Sequence, residues 1–113
     1  MKNKIKNYNC PVGTTLGLIG GKYKVVIIWY LSENGVLRYN ELQKLLLGVT
    51  PKMLISQLRE LEEDKLIKRK VYPVVPPKVE YSLTELGKSL IPILQEMKTW
   101  GEKYENAYVL KVF

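Results

Sequence analysis

Apolar residues fall into short periodic stretches punctuated by glycine and proline, and each stretch predicts an element. Pro11 suits the first position of a helix, where its missing N–H costs nothing. A short helix over residues 11–18 then meets Gly20-Gly21, which ends it. The next apolar segment, residues 22–33, has two readings. Val25-Val26-Ile27-Ile28-Trp29-Tyr30 favours a strand by local propensity, while its length with flanks also fits a buried helix. Asn34-Gly35 marks a turn, and Leu37-Arg38-Tyr39 has room only for a very short strand.

Residues 40–47 read as a helix because Leu42, Leu45 and Leu46 lie at three- and four-residue spacing, and Gly48 ends it. Thr50-Pro51 follows, an N-cap hydroxyl before a first-turn proline, the strongest helix-start signal in the chain. From there Leu54, Leu58 and Leu61 form one apolar stripe on a helix lasting to about Asp64. Two helices joined only by Leu47-Gly48-Val49 match a helix-turn-helix unit. At about 100° per residue, Lys52, Ser56, Arg59 and Glu63 point away from the stripe, with Met53 and Gln57 on one flank.

Beyond that helix, Ile67–Tyr72 and residues 79–83 pattern as paired strands. Val79, Tyr81 and Leu83 alternate with Glu80 and Ser82, the period of a half-buried strand. Pro73, Pro76 and Pro77 stiffen the connection. The last helix is expected to start at Thr84, with Glu85 complementing its dipole. Leu86, Leu90, Ile93, Met97, Trp100 and Tyr104 alternate steps of four and three, a heptad-like seam longer than a small domain needs for its own core. Pro92 is expected to bend this helix. Intramolecular packing is the plain reading of the seam; its length favours a partly intermolecular one, and so a homodimer. The architecture expected is mainly α with a small β-hairpin wing (α+β). Residues 1–113 are expected to form one winged helix-turn-helix domain.

Composition narrows the functions. A chain of 113 residues with 46% hydrophobic and 26% charged content fits an ordinary globular domain with a modest core. The longest apolar run, residues 25–31, is far shorter than the roughly 20 residues a membrane span needs. The polar, basic residues 1–9 carry no secretory signal, so no membrane partner and a cytoplasmic location are expected. With Cys10 as the only cysteine and no histidine, neither an internal disulfide nor a metal site is expected, and no cofactor. Catalysis lacks its parts as well. Cys10 has no imidazole base, Gly21-Lys22 lacks the rest of a phosphate loop, and the adjacent Glu62-Glu63-Asp64 fan around a helix. The chain reads as a non-enzyme.

Charge supplies a partner. The net charge is +7, and Lys2, Lys4, Lys6, Lys22 and Lys24 all precede the first acid, Glu33. A second acid-free stretch, residues 65–79, holds Lys65, Lys68, Arg69, Lys70 and Lys78, while Glu60, Glu62, Glu63 and Asp64 cluster between the two. A solvated surface usually mixes its signs, so this segregation indicates an anion-binding face, with double-stranded DNA the expected ligand. Thr50, Lys52, Ser56, Gln57 and Arg59 are the expected groove and nearby phosphate contacts. Lys68, Arg69, Lys70 and Lys78 are expected on backbone phosphates, giving affinity without base identity. A winged module that binds protein instead is opposed by Lys52, Arg59 and the basic wing. An RNA-binding module lacks an aromatic-and-basic signature such as the RRM motif.

The chain resembles the HxlR-type family of bacterial winged helix-turn-helix regulators, relatives of the MarR group, over about residues 10–101. The resemblance rests on Cys10-Pro11, Ile19-Gly20-Gly21-Lys22-Tyr23-Lys24, Lys52-Met53-Leu54, Gln57-Leu58-Arg59-Glu60-Leu61-Glu62, Val71-Tyr72-Pro73, Val75-Pro76-Pro77-Lys78-Val79-Glu80-Tyr81-Ser82-Leu83-Thr84 and Trp100-Gly101. It implies that residues 22–33 are a helix. It also implies a homodimer formed by the first and last helices on a pseudo-palindromic operator, often near the regulator's own gene. Tyr23 stands where tryptophan is usual and Lys65 where glycine is common. Ile55 replaces a frequent threonine and Val74 a common wing acid, so an operator sequence does not transfer.

The resemblance also implies a role for Cys10, because many members sense oxidants or electrophiles through the matching cysteine. A thiol at a helix N-terminus near Lys22 or Lys24 would favour the reactive thiolate. A single cysteine limits sensing to an adduct, a mixed disulfide or a disulfide between subunits. The opposing reading is a small buried apolar residue. No small-molecule effector is legible; Trp29, Tyr30, Trp100 and Tyr104 read as core or dimer packing.

Overall fold

The computed structural model describes residues 10–109, so Lys2, Lys4 and Lys6 of the basic N-terminal stretch lie outside the described residues. Helix α1 (Pro11–Ile19) starts with proline in its first turn and extended Cys10 as N-cap, and Gly20 N–H closes it on Leu16 O. The ambiguous segment is helix α2 (Lys24–Asn34). Its buried residues, Lys24, Ile27, Ile28 and Leu31, recur at helical spacing, so burial of one face outweighs the strand preference of the β-branched run. Gly35, at φ 79°, ends α2 in a left-handed conformation that costs glycine little.

Strand β1 (Val36–Arg38) leads directly into helix α3 (Tyr39–Leu45), so Tyr39 belongs to the helix rather than the strand. Glu41 Oε1 accepts from Arg38 N–H at 2.8 Å, satisfying one donor at the start of α3. Helix α4 (Pro51–Glu63) follows a turn in which Gly48 takes φ 81°. As Thr50-Pro51 predicts, the Thr50 hydroxyl caps α4, accepting from Met53 N–H at 3.1 Å. Lys65, beyond the end of α4, has φ 64°, a conformation that costs glycine less than a residue bearing Cβ.

Strands β2 (Ile67–Tyr72) and β3 (Lys78–Leu83) form the wing, and the antiparallel sheet has the order β1-β3-β2. The core joins α2, α3, α4 and the sheet through Ile27, Ile28, Leu31, Leu42, Leu54, Leu61 and Ile67, all fully buried. Two polar contacts also tie α4 to the start of α2. Lys24 Nζ lies 2.5 Å from Glu60 Oε1, and Gln57 Oε1 accepts from Tyr23 N–H at 3.4 Å.

The C-terminal seam is not one helix. Helix α5 (Glu85–Lys88), capped by the Thr84 hydroxyl, stops after one turn, and helix α6 (Ile91–Tyr104) begins anew with Pro92 in its first turn. Proline thus starts a helix here instead of bending one, because the first turn needs no N–H from it. A π-helical turn, Glu105–Val109, continues α6. Among the described residues, no helix is long and apolar enough to cross a membrane.

Candidate nucleic-acid interface

Burying Leu54, Leu58 and Leu61 orients α4, and the same rotation exposes Lys52, Met53, Ile55, Ser56 and Arg59. Thr50 is exposed at the helix start, beside N–H groups and the positive dipole end that favour a phosphate. Gln57 departs from the expectation. It is only 8% exposed and its amide oxygen faces Tyr23 N–H, so it anchors α4 to the body and has no path to a groove. Flank positions on a helix are decided by neighbouring elements, and here the start of α2 covers this one.

The wing's cations divide between the two faces of the sheet. Ile67, Arg69 and Val71 pair with Leu83, Tyr81 and Val79, which places Arg69 on the core-side face. Lys68, Lys70 and Tyr72 pair with Ser82, Glu80 and Lys78 on the opposite face. Where the core-side face runs past the core, Arg69 and Tyr81 meet Arg59, Ile55, Glu62 and Tyr39 around an open cleft of about 500 Å³. Two arginines against one carboxylate leave this cleft cationic. Tyr39, which sequence reasoning assigned to a strand, also links α3 to the start of α4 by donating its hydroxyl to Pro51 O at 3.4 Å. Only the tertiary fold reveals it.

The opposite face carries a compact polar cluster. The Tyr72 hydroxyl donates to Glu80 Oε1 at 2.7 Å, and Lys78 Nζ lies 3.3 Å from Glu80 Oε2. Lys70 and Lys78 stand 4.8 and 4.6 Å from the Tyr72 ring centroid. The Tyr72 hydroxyl, aided by Lys78 and Arg38 against a smaller effect of desolvation, holds the Glu80 carboxyl below its ordinary value. Lys68, Arg69 and Lys70 are exposed, whereas Lys78 is partly buried and shares its charge with Glu80.

Cys10 is exposed at the N-cap of α1, and its side chain makes no capping hydrogen bond. The two lysines expected beside it have other contacts. Lys24 turns inward to Glu60, and Lys22 lies 5.3 Å from the Tyr23 ring centroid.

Of the seam residues, Ile93, Met97, Trp100 and Tyr104 are exposed on α6. Leu90 sits between α5 and α6 and packs on its own core, which removes it from a surface seam; Leu86 is exposed but lies on α5. Leu94 is the residue of α6 that enters the core. Exposed Val12 and Leu16 of α1 border the α6 stripe across an apolar groove of about 330 Å³ that reaches Ile93 and Met97.

A helix-turn-helix with a cationic outward face and a basic hairpin beside it defines a winged helix-turn-helix transcriptional regulator. The chain belongs to the HxlR-like helix-turn-helix family, whose model matches residues 18–108. It is 54% identical over 106 residues to the uncharacterized HTH-type transcriptional regulator BH0655 of Halalkalibacterium halodurans, covering 93% of this chain and 94% of that protein. It is also 55% identical over 97 residues to the uncharacterized HTH-type transcriptional regulator YdeP of Bacillus subtilis, covering 86% and 75%. Among solved structures it is similar to the redox regulator HypR in its oxidized form, at 50% identity and TM-score 0.78, covering 83% of this chain and 96% of that one. The reduced form matches with TM-score 0.82 at 46% identity, covering 92% and 100%. The chain is therefore a transcriptional regulator and not an enzyme.

Proposed function

We propose that the protein is a sequence-specific repressor that binds a pseudo-palindromic operator as a homodimer in the cytoplasm, with Cys10 making binding sensitive to oxidants or electrophiles. The observation that carries the DNA reading is the exposed face of α4, which presents Lys52, Ser56 and Arg59, with Arg59 sharing a cleft with Arg69 of the wing. A helix enters the major groove by such a face, while the wing follows the backbone. Residues 1–113 then act as one domain, and the apolar face shared by α1 and α6 is the surface for a second copy. Pairing there would present two recognition helices to successive major grooves, about 34 Å apart.

The thiol reading is supported by an exposed Cys10 and by the likeness to a redox regulator. Diamide takes two electrons and two protons from two thiols and leaves one disulfide. With one cysteine per chain, that bond joins Cys10 to a small thiol or to the partner's Cys10.

Gel retardation with the DNA flanking the protein's own gene, against unrelated duplex at about 0.15 M salt, tests both readings. Specific retardation that diamide relieves in the wild type, but not in Cys10→Ser, is the expected result. Retardation indifferent to diamide removes the thiol reading and leaves the repressor. Structured RNA competing better than duplex DNA would remove the DNA reading.

A further inference from the structure

Ile55 is the one aliphatic residue on the Arg59 side of the outward face of α4, and it is 40% exposed. It follows Lys52 by three residues and precedes Arg59 by four, so both cations are its neighbours on the helix surface. It also lines the cleft that Arg59 and Arg69 share, with Tyr39 alongside. A partner that covers Ile55 must therefore carry anionic groups for these arginines and an apolar group between them. Duplex DNA supplies both. In the major groove the bases offer donors and acceptors at every position, and one apolar group, the C5-methyl of thymine. Setting Ile55 against any other base edge removes water from a polar atom and returns no hydrogen bond.

We infer that Ile55 is a specificity-determining residue that reads the C5-methyl of a thymine in each half of the operator. This rests on the DNA-binding function proposed above. A β-branched side chain in a helix keeps largely one χ1 rotamer, so the methyl-reading surface is already set before DNA arrives. Lys52 and Arg59 on either side hold phosphate or guanine and fix the height of the helix in the groove, which aims Ile55 at one base step.

The test begins with an operator obtained by unbiased selection from genomic fragments. Each thymine is then replaced singly by uracil, which differs only in lacking the methyl, and the affinity is read by fluorescence anisotropy. Wild-type protein should lose about fourfold in affinity at one thymine per half-site, the loss expected for one buried methyl. Ile55→Ala should bind thymine and uracil equally at that position, and Ile55→Val should fall between them. Sensitivity to no thymine, or sensitivity that persists in Ile55→Ala, overturns the inference while leaving specific DNA binding intact. A selection that enriches no sequence overturns the DNA reading and this inference with it.

Discussion

Single residues of α4 separate into those that hold the helix and those that face outward. Lys24 is 4% exposed and its partner Glu60 37%, so the two ends of the ion pair are not equivalent. Removing the carboxylate strips a buried ammonium of its ion-pair partner, whereas Glu60 reaches water when the ammonium is gone. Glu60→Ala should cost about 3 kcal/mol in chemical denaturation, and Lys24→Met, which keeps the buried stem, about 1 kcal/mol or less. Equal losses would contradict this account of the pair. Lys65 offers a second check at this scale. Its φ of 64° is strained for a side chain bearing Cβ, so Lys65→Gly should gain about 0.5 kcal/mol after glycine's extra chain entropy is counted. A loss in thermal denaturation would mean that the lysine side chain contributes more than its backbone costs. The outward face of α4 was legible in the sequence because Thr50-Pro51 and the Leu54/Leu58/Leu61 stripe fix its start and rotation. Gln57 was not legible, because its partner is a backbone N–H 34 residues away.

At the scale of elements, the wing was readable from alternation and proline, and β2 has the bounds the pattern predicts. Which cation lies on which face follows only from the strand register. Glu80 organises the outer face, and its lowered pKa has a consequence for the wing. A carboxylate whose folded pKa is depressed contributes stability that is fully present above its unfolded value and is lost as pH falls through the lower folded one. The stability difference between wild type and Glu80→Gln should hold steady from about pH 6 to 8 and shrink on acidification below the ordinary carboxylate value of 4.5, as thermal melts would show. A difference unchanged down to the acid limit would remove the Tyr72–Glu80–Lys78 cluster from the wing's support. On the DNA side, Lys70→Ala should weaken all sequences alike and reduce the slope of log affinity against log salt by about one. Arg69→Ala should do the same; a loss of preference at one base pair would instead place Arg69 among the base readers. The C-terminal seam misled because a heptad spacing says nothing about whether the backbone stays helical. Leu86 and Leu90 keep the spacing, but the helix ends after Lys88 and a new one starts at Ile91.

In the whole molecule, the proposed DNA contacts and the proposed pairing surface fall on different sets of residues. Lys52 and Arg59 are exposed on α4 and Arg59 shares a cleft with Arg69 of the wing, while Val12, Leu16, Ile93, Met97 and Trp100 are exposed on α1 and α6. Met97→Asp should yield a monomer in sedimentation and lower operator affinity steeply, since each half-site would then be bound alone; a dimer that survives it would move the interface elsewhere. The apolar stripe on α6 proposed for pairing was partly legible, because Ile93, Met97, Trp100 and Tyr104 keep a periodic spacing in the sequence and are exposed in the fold. For α1 only the family resemblance named the helix as a pairing element; that Val12 and Leu16 border the α6 stripe is visible only in the folded chain. The most direct test of the central claim is the affinity of the purified protein for its selected genomic sequence, against a scrambled duplex of equal length, at about 0.15 M salt. The account predicts a pseudo-palindromic sequence bound at least about a thousandfold more tightly than the scrambled one. Equal binding to both would contradict it.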